Sequence, residues 1–250
     1  MITSIFINGT LPVVDGMKNL NDFIISNWFE DFPALSAATP YAGYHFGQYV
    51  TDINNNSFNS ENPATVSGSL NNSNGYISVN VDNYLDTNEK AALNLTVGGC
   101  FKRPEVPSGS LFFISDFTGT GSDAIGFAIG VSAAGKLRAA AQNAGVAQTS
   151  IADVDFPSSI AVGDYCAFTA FIRNGMVTIA VYNPVTQQYD STAVGLSGDR
   201  AAGTKNVLIG RKQDNNATSL SCDVRSVVLI NGGLSTAEHV AVQQYLLNMV

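Results

Sequence analysis

Residues able to do acid, base or nucleophilic chemistry are few in this chain, and their spacing argues against a hydrolase. Glycoside hydrolysis needs two carboxylates a set distance apart, one as acid and one as nucleophile or base, and alternate positions of one strand supply a shared face. None of the five glutamates, Glu30, Glu61, Glu89, Glu105 and Glu238, has a second carboxylate at that spacing. Asp153 and Asp155 alternate correctly, but Ala152-Asp-Val-Asp-Phe-Pro157 reads as a loop edge carrying a solvated pair. His45 and His239 have no second His or Cys at metal-ligand spacing, which argues against zinc. There is no Gly-x-Ser-x-Gly elbow, and Gly119-Thr-Gly121 lacks both the lysine and the helix of a phosphate loop.

Recognition chemistry is better supplied. Sugar binding asks for flat aromatics against C–H faces and for planar amides, guanidinium groups or carboxylates against hydroxyls. Tyr44, His45 and Tyr49, with Arg173, Asn174 and Arg211, are of those types and fall on one aromatic strand and on turns. Strand tyrosines serve cores more often than ligands, so these six residues mark an expected location, an exposed sheet face with its rim loops.

The elements that must position them are mostly strands. Short apolar or alternating runs recur at 41–49, 76–81, 91–97, 111–117, 125–131, 137–141, 166–173, 176–182, 206–210 and 224–230. Asn174-Gly175 between two such runs predicts a two-residue type I′ hairpin, with positive φ at both centre positions. Asn231-Gly232-Gly233 ends the last run, and Ser235-Thr-Ala-Glu238 then forms a capping box worth about 1 kcal/mol. In the helix it opens, Val242, Tyr245, Leu246 and Met249 share one stripe while Gln243 and Gln244 point elsewhere. Hairpin spacing with a single terminal helix predicts two packed antiparallel sheets.

Before the strands, Ile2–Ile7 reads as a short strand. Asp15 then precedes a helical pattern with Met17, Leu20, Phe23, Ile24 and Trp28 on one side. Phe23 and Trp28 are candidates for docking on a larger assembly or a second copy; packing on the chain's own sandwich is the plainer alternative. Thr39-Pro40 sets a boundary near residue 40.

Composition narrows the classes. Twelve basic against twenty acidic residues give a net charge of −8, with the cations scattered singly, which disfavours a phosphate-backbone partner, and no nucleic acid is expected. Only 13% of residues are charged. Cys100, Cys166 and Cys222 lie in apolar runs without CxxC spacing and read as buried thiols, although a Cys166–Cys222 bridge is conceivable. No basic n-region and no apolar run of about 18 residues is present, so a soluble chain made in the cytoplasm is expected, with no membrane span.

The order of these motifs resembles the concanavalin-like and laminin-G-like jelly rolls. The resemblance runs through Gly109–Ile114, Gly126–Val131 with Gly135–Arg138, Asp164–Asn183, and the closing strand, glycine turn and "LS…E…YL" helix. It covers residues 41–250 and implies an all-β, two-sheet antiparallel sandwich with a C-terminal capping helix, here preceded by a helical extension over residues 1–40. Laminin-G-like domains often hold calcium through loop aspartates, and Asp116 and Asp123 flank a loop of that kind; no other cofactor is expected. That superfamily includes glucanases as well as lectins, and fold alone does not choose among them. The expectation is a non-enzymatic binding or structural module. It would be a bacteriophage virion part (tail, fibre or capsid-decorating) presenting the jelly roll to host surface glycans, displayed on the virion or extracellular surface. A glycan-cleaving enzyme and a purely structural homo-oligomer are the alternatives.

Overall fold

A computed structural model describes residues 27–214 and 218–249. Among them the chain forms β1 (Thr39–His45), β2 (Thr65–Ser67), β3 (Ile77–Val79), β4 (Tyr84–Lys90), β5 (Leu95–Lys102), β6 (Leu111–Ser115) and β7 (Gly126–Val131). It continues through β8 (Leu137–Gln142), β9 (Ser150–Val154), β10 (Tyr165–Arg173), β11 (Gly175–Asn183), β12 (Gln188–Leu196), β13 (Asn206–Ile209) and β14 (Cys222–Asn231) to helix α1 (Thr236–Asn248). One sheet runs β1-β14-β5-β10-β11-β12, with β3 also on β14, and the other runs β2-β4-β13-β6-β7-β8-β9. Neighbouring strands pair antiparallel, for example without a break from Tyr165↔Lys102 to Ile172↔Leu95.

Period-two alternation builds the core between the sheets. Along β10, Cys166, Phe168, Ala170 and Ile172 face inward, while Ala167 joins a second cluster under the helix. Phe101 meets Phe113 of the opposite sheet at 4.6 Å between ring centroids, and Phe168 packs edge-on to both. The three cysteines are free and buried, and burial pushes the Cys100 thiol up to about 12. A thiol reagent is therefore expected to leave the native protein untouched and to count three sulfhydryls after unfolding; rapid native labelling would contradict this burial.

Helix α1 covers the outer face of the first sheet, and its capping box is present: Glu238 N–H donates to Ser235 Oγ at 3.4 Å, and Ser235 N–H to Glu238 Oε2 at 2.7 Å. These bonds, with one from Ser36 N–H, hold the Glu238 carboxyl down at about 2. Close approach of the helix depends on Gly98, where a Cβ would stand 2.8 Å from Val228 and 3.0 Å from Leu246. Gln243 corrects the helical stripe: it is fully buried, and its amide donates to Thr169 Oγ1 at 2.8 Å and Ala180 O at 3.2 Å.

Other expectations also shift. Strands β2, β4, β9 and β12 were not legible as strands, β1 ends at His45 instead of residue 49, and the 91–97 run moves to Leu95–Lys102. At the 174–175 turn only Gly175 has positive φ (76°), so the hairpin is not type I′. Phe29 is buried, and Trp28, Phe32 and Leu35 pack with it against α1 and Phe58, so residues 28–38 belong to the sandwich. The strand at 2–7 and the helix through Met17, Leu20, Phe23 and Ile24 lie outside the described residues. No helix among the described residues is long and apolar enough to cross a membrane.

Candidate functional site

Two local irregularities, one in each sheet, open a cleft along one margin of the sandwich. In β1, Pro40 pairs with Ile230 and Ala42 with Leu229, so Tyr41 is the extra residue of a bulge. In β4, Lys90 pairs with Asn206 and Asp86 with Leu208, so residues 87–89 stand opposite Val207 alone. Such insertions break the pleat and re-aim side chains, which is why they cluster beside binding sites. The cleft between them, about 460 Å³, is lined by Thr39, Tyr41, Asn88, Glu89, Lys90, Ala92 and Asn231.

Each wall is fixed by identifiable bonds. Thr87 is buried and its hydroxyl donates to Val207 O at 2.7 Å, closing the base of the β4 bulge. Asn88 sits in the left-handed region (φ 58°), held by its N–H to Asp86 Oδ1 and its amide to Pro63 O and Thr65 Oγ1. Asparagine tolerates this conformation better than most residues, and strain of this kind persists where neighbours over-determine it. Glu89 Oε1 gathers the polar 54–62 loop by accepting amide N–H groups from Asn62 at 2.8 Å, Asn59 at 3.3 Å and Asn56 at 3.5 Å. Tyr41 donates its hydroxyl to Lys90 O at 3.0 Å, and burial raises its pKa above the ordinary phenol value.

Behind the cleft lies Arg200, only 9% exposed, whose guanidinium donates to Leu93 O at 2.8 Å and Ala92 O at 3.2 Å. Its charge faces Asp116, whose carboxyl is raised to about 6, chiefly by burial. The open groups of the cleft are of one chemical kind. Among the described residues, no hydrogen bond occupies Glu89 Oε2, the Asn231 amide or the Lys90 ammonium. Together they present acceptors and donors suited to a neutral, hydroxyl-rich ligand beside an aromatic edge.

The sequence candidates fall elsewhere. Tyr44 is fully buried in the core with its hydroxyl on Thr87 O at 2.9 Å, and His45 is buried beneath Trp28 at 4.7 Å between ring centroids, so neither stands on an exposed face. Parity decides it: with Tyr41 absorbed by the bulge, Ala42, Tyr44 and Phe46 point to the core. Trp28, half-buried, packs against the cluster under α1, and Phe23 lies outside the described residues. Tyr49 is 70% exposed but sits in a turn and does not line the cleft. Arg173 is exposed and bonds its neighbour Asn174 O, while Asn174 Oδ1 accepts the Arg200 N–H at 3.2 Å, bracing the cleft from behind. Arg211 lies over Tyr84 and donates to Lys212 O and Val81 O.

The calcium pair is not brought to one cavity. Asp116 is buried and accepts the Phe127 N–H at 2.7 Å, whereas Asp123 lies exposed on the 3-10 turn Gly121–Asp123. The void at Asp116, about 10 Å³, is not lined by Asp123, and no group of three His, Cys, Asp or Glu that could hold a metal occurs among the described residues. Asp153 and Asp155 also change character: Asp153 lies in strand β9, bidentate to Arg138 at 2.7 Å, and Asp155 pairs with Lys136 at 3.1 Å.

No family model matches the chain, and neither does any curated protein sequence. Solved structures do. Domain 4 of AbnA, a GH43 extracellular arabinanase from Geobacillus stearothermophilus in complex with arabinotriose, aligns over 84% of this chain and 100% of its own, at TM-score 0.55 and 12% identity. The receptor binding domain of botulinum neurotoxin D aligns over 82% of this chain and 52% of its own, at TM-score 0.54 and 12% identity. A mutant Trypanosoma rangeli sialidase displaying trans-sialidase activity aligns over 85% of this chain and 32% of its own, at TM-score 0.51 and 12% identity. The chain has an all-β fold, a two-sheet antiparallel jelly roll with a C-terminal helix. At this identity the likeness fixes the fold, and the jelly roll's cleft must be judged on its own residues.

Thr39, Tyr41, Asn88, Glu89, Lys90 and Asn231 were not singled out for binding in the sequence. Their one local signal is Asp86-Thr-Asn-Glu-Lys90, a polar run beside Leu85 that interrupts strand alternation where a bulge later appears.

Proposed function

We propose that this jelly roll is a non-enzymatic carbohydrate-binding module whose glycan site is the cleft between β1 and β4. The observation that carries the reading is the convergence of Glu89, Asn231, Lys90 and Tyr41 on one open cleft between two bulges. A carboxylate, a planar amide and an ammonium can share a sugar's hydroxyls, and the tyrosine edge offers apolar contact to its C–H groups. Sharing a fold with a domain captured with arabinotriose makes oligosaccharides the first ligand class to try.

A glycan array probed with the full chain is expected to give signal. Asn231→Ala and Lys90→Ala should each weaken it at least about tenfold, roughly 1.4 kcal/mol, with unchanged melting temperature. Tyr49→Ala, outside the cleft, should bind as the unaltered protein does. An empty array would remove the reading, and new reducing or unsaturated ends after incubation with capsular or lipopolysaccharide glycans would replace it with an enzyme.

The narrower reading is a tail, fibre or capsid-decorating part of a bacteriophage, displayed at a virion or extracellular surface. It rests on composition, with only 13% of residues charged and Gly, Ser, Thr and Asn abundant. Flanking tail or capsid genes would support it, and a neighbourhood of metabolic genes would count against it.

A further inference from the structure

Among the described residues the two sheets end in β1 together with β3, in β12, in β2 and in β9, and all but β12 carry the usual protections against open pairing. Strand β1 is bulged at Tyr41, β2 has only three residues, and β9 is five residues long and fastened by the Arg138–Asp153 pair. Strand β12 has none of these. It pairs with β11 through nine consecutive residues, Gly175↔Leu196 to Asn183↔Gln188, without a bulge. It contains no Lys, Arg or Pro, and its one charge, Asp190, lies near one end beside Asn183. Among the described residues its backbone pairs only with β11, so every second N–H and C=O faces outward. Gln188, Asp190, Ser191, Ala193 and Gly195 are exposed. A long, regular, uncharged edge is a template for another strand.

We propose that β12 is a self-association surface on which a second copy of this chain adds its own β12, antiparallel about a twofold axis at Thr192. Thr192 is the midpoint of Gln188–Leu196, so this register alone pairs the whole strand with itself. It sets Thr192 against Thr192 and Ser191 against Ala193, both favourable or neutral cross-strand pairs. Tyr189, whose ring packs on His239 of α1 at 5.4 Å between centroids, falls opposite Gly195, where nothing lies within 4 Å of the missing Cβ, so no side chain crowds the pair. Asp190 falls opposite Val194, leaving the two Asp190 carboxylates about 13 Å apart along the strands, beyond a Debye length of about 8 Å. Shifting the axis to residue 190 would oppose the two carboxylates directly. The product is one continuous sheet through both first sheets, with the β1–β4 clefts of the two copies left open at the far margins.

The net charge of −8 on each copy opposes association, so dimerisation should strengthen as salt rises. The full chain, followed by light scattering across a concentration series, is expected to reach twice the monomer mass. Thr192→Lys and Thr192→Glu should each halve that mass while keeping the melting temperature close to that of the unaltered protein. An equimolar mixture of the two should restore the dimer, because the substituted residues meet each other at the axis. Thr192→Cys should form a covalent dimer on mild oxidation, the three native thiols being buried. If Thr192→Lys does not fold, Ala193→Lys, on an exposed site beside the axis, takes its place. A monomer at all concentrations, or a dimer that survives these lysines, overturns the proposal.

Discussion

Arg200→Ala is expected to cost about 3 kcal/mol of stability, read as a lower urea midpoint, and to abolish binding in the β1–β4 cleft. The guanidinium is almost fully buried and spans two carbonyls, Ala92 O and Leu93 O, the first belonging to a residue that lines the cleft. Its own N–H is tied to Asn174 Oδ1, so the residue fastens the 174–175 hairpin to the loop between β4 and β5. Burial lowers the Arg200 pKa, and the facing Asp116 carboxylate opposes that shift. Truncation removes the clamp and leaves Asp116 without its counter-charge, which pushes that carboxyl further above about 6. Arg200→Lys should recover little, since an ammonium on a flexible stem cannot hold both carbonyls as a planar fork does. A loss under about 1 kcal/mol, or a variant that binds normally, would show that the loop is held by packing alone.

That clamp explains why the fold was legible in the sequence and the site was not. The capping box at Ser235–Glu238, the closing strand before Gly232 and the central hairpins are local patterns, and each appears nearly where its residues place it. Edge strand β12 was missed because Gln188-Tyr-Asp-Ser-Thr-Ala-Val-Gly-Leu196 is mostly exposed and shows little alternation. The cleft depends on pairing between distant segments. Whether Tyr41 or Tyr44 turns outward is decided by how β1 registers on β14, and a one-residue slip exchanges the faces. With the bulge before Ala42, Ala42, Tyr44 and Phe46 face the core, while Tyr41 packs against the same core and also lines the cleft. Arg200 and Ala92 are more than a hundred residues apart, and nothing in either neighbourhood announces the other.

Asp116 carries the second large effect, one of pH. Its carboxyl accepts the Phe127 N–H and faces Arg200, yet burial outweighs both and raises it from 3.8 to about 6. A carboxyl raised by folding binds its proton more tightly in the native state than in the unfolded chain. Between those two values the native protein therefore holds more protons, and stability from this group falls as pH rises. Two pKa units correspond to roughly 3 kcal/mol, present in full below about pH 3, falling as pH rises and lost by about pH 7. Asp116→Asn keeps an oxygen for Phe127 N–H and cannot titrate, so that component should vanish from its stability profile. Contributions from the remaining carboxylates, such as Glu238, are common to both proteins and cancel in the difference. Urea denaturation of the two proteins from pH 4.5 to 7.5 is expected to give curves that diverge as pH rises, the unaltered protein losing stability relative to the variant. Parallel curves would mean that Asp116 is ionised throughout, with Arg200 compensating its charge in full. In that case Arg200→Ala should prove costlier than 3 kcal/mol, because a buried ion pair and not a lone clamp would have been broken.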